Sequence, residues 1–155
     1  MVQHNRTARV TGASRGIGRA TALALAETGA HVLVHYGRSA QEAESLVSQI
    51  QANGGSANAM AADLGTPNGA ALLAKQVLSI VGDRLDVLVL NAGISKAARI
   101  ADYTVEDFDN LFATNVRSPF FWDKTYGQVF RGRNVERARG STRGAARAWT
   151  RRDRS

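Results

Sequence analysis

Glycines at positions 12, 16 and 18 lie between a β-rich run and a helical one, and this arrangement constrains the fold more than any other feature. The run Ala8–Thr11 predicts a first strand, and a helix is expected from Gly16 to Thr28, where Gly29 can end it. A second strand is predicted over His31–Tyr36. A strand, a glycine-rich turn, a helix and another strand together predict a βαβ unit with parallel strands.

The same alternation continues along the chain. An amphipathic stripe predicts a second helix that Asn53-Gly54-Gly55 would end, and the stripe consists of Ala43, Leu46, Val47 and Ile50. A third strand is predicted over Ala57–Ala62. Thr66 is then expected to cap a third helix whose first residue is Pro67.

A fourth strand and a further helix complete the legible pattern. The unbroken aliphatic run Asp86–Leu90 predicts a strand that is covered on both faces. Thr104–Asp107 reads as a capping box, and the helix after it carries Phe108, Leu111, Phe112 and Val116. The sequence therefore predicts an α/β fold with a Rossmann-type, doubly wound parallel sheet, truncated after strand four and its following helix.

The glycine-rich turn has the chemistry of a dinucleotide-binding loop. Gly12 allows a sharp turn, Gly16 lets the backbone approach a pyrophosphate, and Gly18 lets the helix pack closely on the sheet. The helix N-terminus then presents N–H groups to phosphates. A merely structural turn is the alternative, but the position between strand and helix favours nucleotide binding.

The end of strand two favours NADP(H) over NAD(H). NAD-specific sites place a carboxylate about 20 residues past the glycine loop, to accept the ribose 2′-OH. Here the segment reads Tyr36-Gly37-Arg38-Ser39, and Arg38, Ser39 and Arg15 could donate to a 2′-phosphate instead. The alternative is that both arginines are ordinary solvated side chains.

Four landmarks, which are Thr11–Gly18, Asp63-Leu64, Asn91-Ala92-Gly93 and Asn115, together resemble the short-chain dehydrogenase/reductase family over about residues 7–122, most of all its bacterial NADP-dependent members. Thr11–Gly18 matches the family's cofactor loop, and Asp63-Leu64 matches its adenine-ring contact. Asn91-Ala92-Gly93 matches its N-A-G motif, and Asn115 stands where the family has the asparagine of its catalytic tetrad. The resemblance implies an NAD(P)(H)-dependent oxidoreductase that acts on a carbonyl or secondary alcohol.

The expected cofactor-binding residues follow from the loop, the charge argument and the resemblance. They are Gly12, Ser14, Arg15, Gly16, Ile17, Gly18, Tyr36, Arg38, Ser39, Asp63, Leu64, Asn91, Ala92 and Gly93. For Asn91 and Gly93 the alternative is a turn that only ends strand four, and Asp63 is equally compatible with a simple turn.

The proton donor of the family is missing from this sequence. The family uses a tyrosine with a lysine four residues later and a serine that polarises the carbonyl. No Tyr-x-x-x-Lys occurs here, and Lys124 and Tyr126 are only two residues apart. Asn115 is thus the one catalytic candidate, and on its own it is expected to hydrogen-bond to local backbone.

Residues 123–155 are predicted to be a disordered basic tail that follows the dinucleotide-binding part, residues 1–122. Residues 131–155 hold nine arginines against Glu136 and Asp153, so the whole formal charge of +7 lies there. We hypothesise that this segment is an out-of-frame readout, which translation of the other frames would test. Nucleic-acid binding through the tail is a weaker alternative, because aromatics are not interleaved with the arginines.

Composition and hydropathy narrow the remaining possibilities. The chain has no cysteine, and His4, His31 and His35 are too scattered to indicate a metal site. No long apolar run occurs, so a cytoplasmic protein without a membrane partner is expected. Arg9 stands where a buried aliphatic residue is expected, which predicts weakened folding. Loss of the later strands is expected to expose strand four and four aromatic side chains, and so to favour self-association, the four being Phe112, Phe120, Phe121 and Trp122.

Three functional hypotheses therefore stay open. The chain is a working NADP(H)-dependent oxidoreductase that obtains its tyrosine and lysine from elsewhere, or it is a catalytically impaired fragment that retains part of the cofactor site. The third is the arginine-tail binder, whose affinity for nucleic acid would fall steeply with salt. The sequence favours the second as the description of the 155 residues.

Overall fold

The computed structural model describes residues 6–82 and 84–127, with side chains through Trp122, so the predicted basic tail after residue 127 lies outside the described residues. The strands are β1 (Thr7–Val10), β2 (His31–Tyr36), β3 (Ser56–Ala61) and β4 (Val87–Val89). The helices are α1 (Gly16–Glu27), α2 (Ala40–Ala52), α3 (Gly69–Val81), α4 (Val105–Phe112) and α5 (Ser118–Gly127). A 3-10 turn (Ile100–Asp102) precedes α4, and a π-helical turn (Ala113–Arg117) joins α4 to α5.

The four strands form one parallel sheet in the order β3-β2-β1-β4. The chain moves outward from β1 to β3 and then returns to the other side of β1. Strand order thus reverses between β1 and β4, and in open α/β sheets ligands bind outside the carboxyl ends of the strands at such a reversal. The predicted α/β fold with a Rossmann-type parallel sheet is confirmed.

Alternation along β2 divides the core between the two faces of the sheet. Val32 and Val34 pack under α1 and α2 in a first cluster, with Leu46 and Ile50 of α2. Leu33 points to the opposite face and belongs to a second cluster, whose members are Leu33, Met60, Leu64, Ala70, Leu73, Ala74, Val77, Leu85 and Trp122. Helices therefore cover both faces, as a parallel sheet requires.

Arg9 lies on the same face of the sheet as Leu33 of the second cluster and is completely buried. Its register partners are Leu33 on β2 and Leu88 on β4. The guanidinium carbon lies 3.4 Å from the centroid of the Trp122 ring, a cation–π arrangement that offsets part of the cost of burying the charge. The predicted exposure of Trp122 is therefore wrong, because α5 crosses back over the sheet and Trp122 covers Arg9; only 1% of the residue is exposed.

The other aromatic side chains of this region are exposed, as predicted. Phe112, Phe120 and Phe121 keep 49%, 70% and 44% of their surface accessible. β4 pairs only with β1 in the described part of the chain, so it is an edge strand, as predicted. Its three residues are half-buried, and Leu88 packs against the second cluster while Val89 packs against the first, so both faces of β4 are partly covered, as the aliphatic run predicted.

The predicted start of the third helix is also wrong. Thr66 does not cap a helix, and Pro67 is not its first residue, because α3 begins at Gly69 after Asn68. The Thr66 hydroxyl donates instead to the carbonyl oxygen of Asp63, at 2.8 Å, which holds these residues in a turn. The capping box before α4 is confirmed, with reciprocal bonds between Thr104 and Asp107. In the described residues no helix is long and apolar enough to cross a bilayer.

Replacing the buried arginine with leucine tests how Arg9 affects folding. Arg9→Leu removes a desolvated charge and supplies the aliphatic side chain that the second cluster otherwise uses, so the free energy of unfolding should rise by about 1–4 kcal/mol. Urea denaturation followed by circular dichroism measures the change. Arg99→Leu is the matched control, because that side chain is exposed and its substitution should change stability by less than about 0.5 kcal/mol. A less stable Arg9→Leu protein would mean that stacking on Trp122 outweighs the cost of desolvation.

Candidate functional site

A cleft of about 780 Å³ opens at the carboxyl ends of the strands, where strand order reverses. It is formed by the loops that follow β1, β2, β3 and β4, together with α4 and the π-helical turn. Its lining comprises Gly12, Ser14, Arg15, His35, Gly37, Arg38, Ser39, Ala62, Asp63, Leu64, Gly65, Thr66, Asn91, Ala92, Gly93, Ile94, Asn110 and Thr114. The cleft thus contains ten of the fourteen residues expected to bind cofactor.

The glycine loop packs too closely for side chains at two positions. Gly12 has a φ of 61°, and a Cβ there would lie 2.9 Å from the Cα of Ala92. At Gly18 a Cβ would lie 2.3 Å from the Gly12 carbonyl oxygen and 2.5 Å from the Asn91 amide nitrogen. These contacts are backbone or held side chain, so glycine is required at both positions. The loop can therefore present its backbone directly to a ligand.

Helix α1 begins at this loop with its first N–H groups open to an anion. Arg15 is the N-cap residue, and no described side chain caps the helix. First-turn N–H groups lack intrahelical acceptors and carry the positive end of the helix dipole. Gly16 and Ile17, which belong to this first turn, are exposed but do not line the cleft, and Gly18 is buried behind Gly12.

Asn91 connects the segment after β4 to the glycine loop. Its side-chain amide donates to the carbonyl oxygens of Thr11 and Gly12, at 3.1 and 3.2 Å. The N–H groups of Asn91 and Ala92 donate to the Thr11 hydroxyl, at 2.9 and 3.0 Å, and that hydroxyl donates to Val89. Asn91 therefore does more than end strand four, since it fixes the loop that would face the phosphates.

His35 forms a second connection, which the sequence analysis missed. Its Nδ1 accepts from the Gly12 N–H at 3.1 Å, and its Nε2 donates to the Ala62 carbonyl oxygen at 3.0 Å. Burial lowers the pKa of His35 to about 4, the bond to Ala62 opposes that change, and the charge of Arg9 adds to it. The alternation of side chains along β2 would have predicted that His35 lies on the same face as Leu33. It would not have predicted that the ring bonds to Gly12 and Ala62.

The end of β2 carries positive charge on the rim of the cleft. Arg15 and Arg38 are exposed, and neither side chain makes an ion pair or hydrogen bond with any residue that the structure describes. Ser39 lines the cleft beside them. Tyr36 does not, because its side chain packs against the first core cluster. Both guanidinium groups are thus free to meet a ligand phosphate.

The Asp63 segment forms a turn on the other side of the cleft. The Asp63 carboxylate accepts from the N–H of Gly65 at 2.9 Å, which is the turn geometry left open by the sequence. Leu64 belongs to the second core cluster and is only 6% exposed. Arg117 donates to the carbonyl oxygen of Gly65 at 2.7 Å and so ties the turn to the π-helical turn. Asp63 and Leu64 both line the cleft.

Asn115 lies beside the cleft and bonds to backbone through both of its polar atoms. Its Oδ1 accepts from the N–H of Ile94, and its Nδ2 donates to the carbonyl oxygen of the same residue, both at 2.9 Å. A Cβ at Gly93 would come within 3.4 Å of that Oδ1. Asn115 therefore holds the segment that follows the N-A-G motif. The part of the chain that the structure describes holds no cluster of metal-ligating residues.

Several known proteins are similar to this chain in sequence. The family model for short chain dehydrogenases matches residues 6–137, which extends past Trp122. Versicolorin reductase 1 of Aspergillus parasiticus is 46% identical over 116 residues, covering 75% of this chain and 44% of that protein. The 3-oxoacyl-[acyl-carrier-protein] reductase of Synechocystis is 41% identical over 122 residues, covering 79% of this chain and 49% of that one. The chain spans about half the length of the curated relatives it matches.

Solved structures share the fold over the same region. Landomycin C-6 ketoreductase LanV, solved with bound NADP and rabelomycin, matches with a TM-score of 0.75 at 38% identity, covering 81% of this chain and 53% of that one. A short chain dehydrogenase from Burkholderia cenocepacia in complex with NADP gives the same TM-score and identity, covering 82% and 51%. Both structures are similar to this chain in sequence as well as in fold.

The buried histidine makes stability depend on pH. The pKa of His35 is about 4 in the folded chain, against 6.5 when exposed, so the unfolded chain binds more protons between those pH values. Its contribution is complete above pH 6.5 and is lost as pH falls toward 4, by about 3 kcal/mol at most.

Urea denaturation at pH 7 and pH 4.5 measures this dependence. His35→Asn, which cannot titrate, should lose most of the difference in stability between the two pH values. His31→Asn is the control, since burial lowers the pKa of the half-buried His31 less completely and its removal should matter less. An unchanged pH dependence in His35→Asn would contradict the assignment.

Proposed function

The chain belongs to the short-chain dehydrogenase/reductase family, and from that premise we propose that its cleft binds NADP(H). One observation carries the proposal: the glycine loop and the open N-terminus of α1 lie beside two unengaged guanidinium groups, those of Arg15 and Arg38. No carboxylate occurs among Tyr36–Ser39 to repel a 2′-phosphate. LanV and the Burkholderia protein, which are two of the similar structures, were both solved with NADP.

Different residues of the cleft would bind different parts of the dinucleotide. The α1 N-terminus and the loop from Ser14 onward would bind the pyrophosphate, and Arg15, Arg38 and Ser39 would bind the 2′-phosphate. Asp63 and Leu64 would bound the adenine. Asn91 would act indirectly, since its amide is committed to the loop.

We further propose that the 155 residues bind the dinucleotide without turning it over. When bound, the nicotinamide supplies or accepts a hydride, and the oxygen of a carbonyl or secondary alcohol must then gain or lose a proton. The sequence offers no Tyr-x-x-x-Lys for that proton. Asn115 cannot replace it, because a side-chain amide does not ionise and both of its polar atoms bond to Ile94.

Self-association of this chain is part of the proposal. Phe108 and Phe112 stack with their centroids 4.4 Å apart, and both are about half exposed. A depression of about 550 Å³ lies beside them between Phe112, Val116 and Phe120. Contiguous exposed aromatics favour burial against another copy. A molar mass by light scattering that stays monomeric at high concentration would contradict it.

Substituting one arginine tests the choice of cofactor. Arg38→Ala should weaken NADP⁺ binding by about tenfold and leave NAD⁺ binding nearly unchanged, because only NADP⁺ carries the 2′-phosphate. Isothermal titration calorimetry measures both dissociation constants. Arg99→Ala, an exposed arginine outside the cleft lining, is the control. Equal losses for the two nucleotides would assign Arg38 to another contact, and failure of the unaltered chain to bind NADP⁺ would refute the proposal.

A turnover assay distinguishes a chain that only binds the cofactor from an active enzyme. The purified chain should not oxidise NADPH in the presence of ketone substrates, because it lacks the proton donor, even where calorimetry shows binding. Loss of NADPH absorbance over time is the measurement. An intact mass must first confirm that the protein ends at Ser155. Steady oxidation that disappears in Gly18→Val, whose side chain would fill the loop, would show that the chain is an active oxidoreductase.

A further inference from the structure

His35 joins two loops that would bind different parts of the dinucleotide. One ring nitrogen bonds to Gly12 in the loop after β1, and the other bonds to Ala62, which precedes the Asp63 turn after β3. The ring is buried, with 2% of the residue exposed, so water does not replace either contact. One imidazole therefore bridges the glycine loop and the Asp63 turn.

His35 also determines which N–H groups of the glycine loop remain available to a ligand. The Gly12 N–H is taken by the Nδ1 of His35, and the Ala13 N–H donates to the His35 carbonyl oxygen at 2.9 Å. Donors for a phosphate must therefore come from Ser14 onward, at the start of α1. The side chain and the main chain of His35 together therefore determine which N–H groups of the glycine loop can donate into the cleft.

Only one form of the imidazole serves both contacts. The Ala62 carbonyl oxygen can only accept, so Nε2 must carry a proton, and the Gly12 N–H can only donate, so Nδ1 must present a lone pair. The Nδ1–H tautomer and the charged form would each place an N–H against the Gly12 N–H.

We propose that His35 is a positioning residue for the dinucleotide, which as the neutral Nε2–H tautomer fixes the glycine loop against the Asp63 turn. The proposal rests on the proposed binding of NADP(H) and adds the residue that orients the site. His35 acts through Gly12 and not by direct contact with the phosphates. Its bond to Gly12 is the contact that binding depends on.

Two amide substitutions separate the two ring contacts. Asparagine places its Oδ1 where Nδ1 of histidine lies, and glutamine places its amide nitrogen close to Nε2. His35→Asn should keep the acceptor for Gly12 and lose the donor to Ala62, while His35→Gln should do the reverse. Calorimetry with NADP⁺ should give His35→Asn a dissociation constant within about threefold of the unaltered chain and His35→Gln one about tenfold weaker.

The order of the two affinities distinguishes positioning from stability. A residue that only stabilised the fold would lower the melting temperature in both variants and leave the affinities of folded protein alike. Equal affinities, or weaker binding by His35→Asn than by His35→Gln, would overturn the proposal. Circular dichroism confirms that each variant is folded before titration.

A measurement without cofactor keeps this inference separate from the proposed function. Nitrogen-15 NMR of the unaltered full chain at pH 7 should show His35 with a protonated Nε2 and an unprotonated Nδ1, and a Gly12 amide protected from hydrogen exchange. A protonated Nδ1, or an unprotected Gly12 amide, would overturn the proposal even if NADP⁺ binds. Conversely, absence of NADP⁺ binding with the NMR result as expected would refute the proposed function and leave the tautomer and its bonds established.

Discussion

Every part of the cleft depends on the parallel pairing of β1 with β2 on one side and β4 on the other. Val10 is in register with Val34 and with Val89, so β1 and β4 end at the same level and β2 continues beside them to Tyr36. The residues that follow them can then meet. The Thr11 N–H donates to Val89, the Gly12 N–H to His35, and the Asn91 amide to the carbonyl oxygens of the loop. A shift of one residue between β1 and β4 would separate Thr11 from Val89 and Asn91, and a shift between β1 and β2 would separate Gly12 from His35.

The most unusual feature of the core lies directly beneath this site. Arg9 places a positive charge in an otherwise apolar cluster, and Trp122 from α5 covers it. That charge also favours the neutral form of His35, which belongs to the same face of the sheet. The arginine thus costs desolvation energy in the core while it supports the protonation state that the glycine loop requires. Arg9 therefore affects both the stability of the core and the organisation of the site.

The sequence predicted the elements and their order because those depend on local pattern. All four strands were placed to within one residue at each end, and the capping box before α4 needs only Thr104 and Asp107, three residues apart. The errors had two causes. Thr66 belongs to a local turn, closed by its bond to the Asp63 carbonyl oxygen, that the residue types alone do not distinguish from a helix cap. Trp122 is buried because α5 returns over Arg9, which is distant in the sequence. His35 was missed because bonds between a side chain and a distant backbone leave no periodic signal.

In the function that we propose, binding and chemistry are separable because they would use different kinds of groups. The dinucleotide cradle consists mainly of backbone N–H groups, glycines that allow close approach, and polar side chains that hold one another in place. Such a cradle can form wherever β1, β2 and β4 are paired. Hydride chemistry needs a side chain that exchanges a proton at a defined point, and the side-chain amide nearest that role, Asn115, is held by two bonds to Ile94. On this proposal the described residues carry the geometry of recognition, and that geometry would not require the reaction in order to exist.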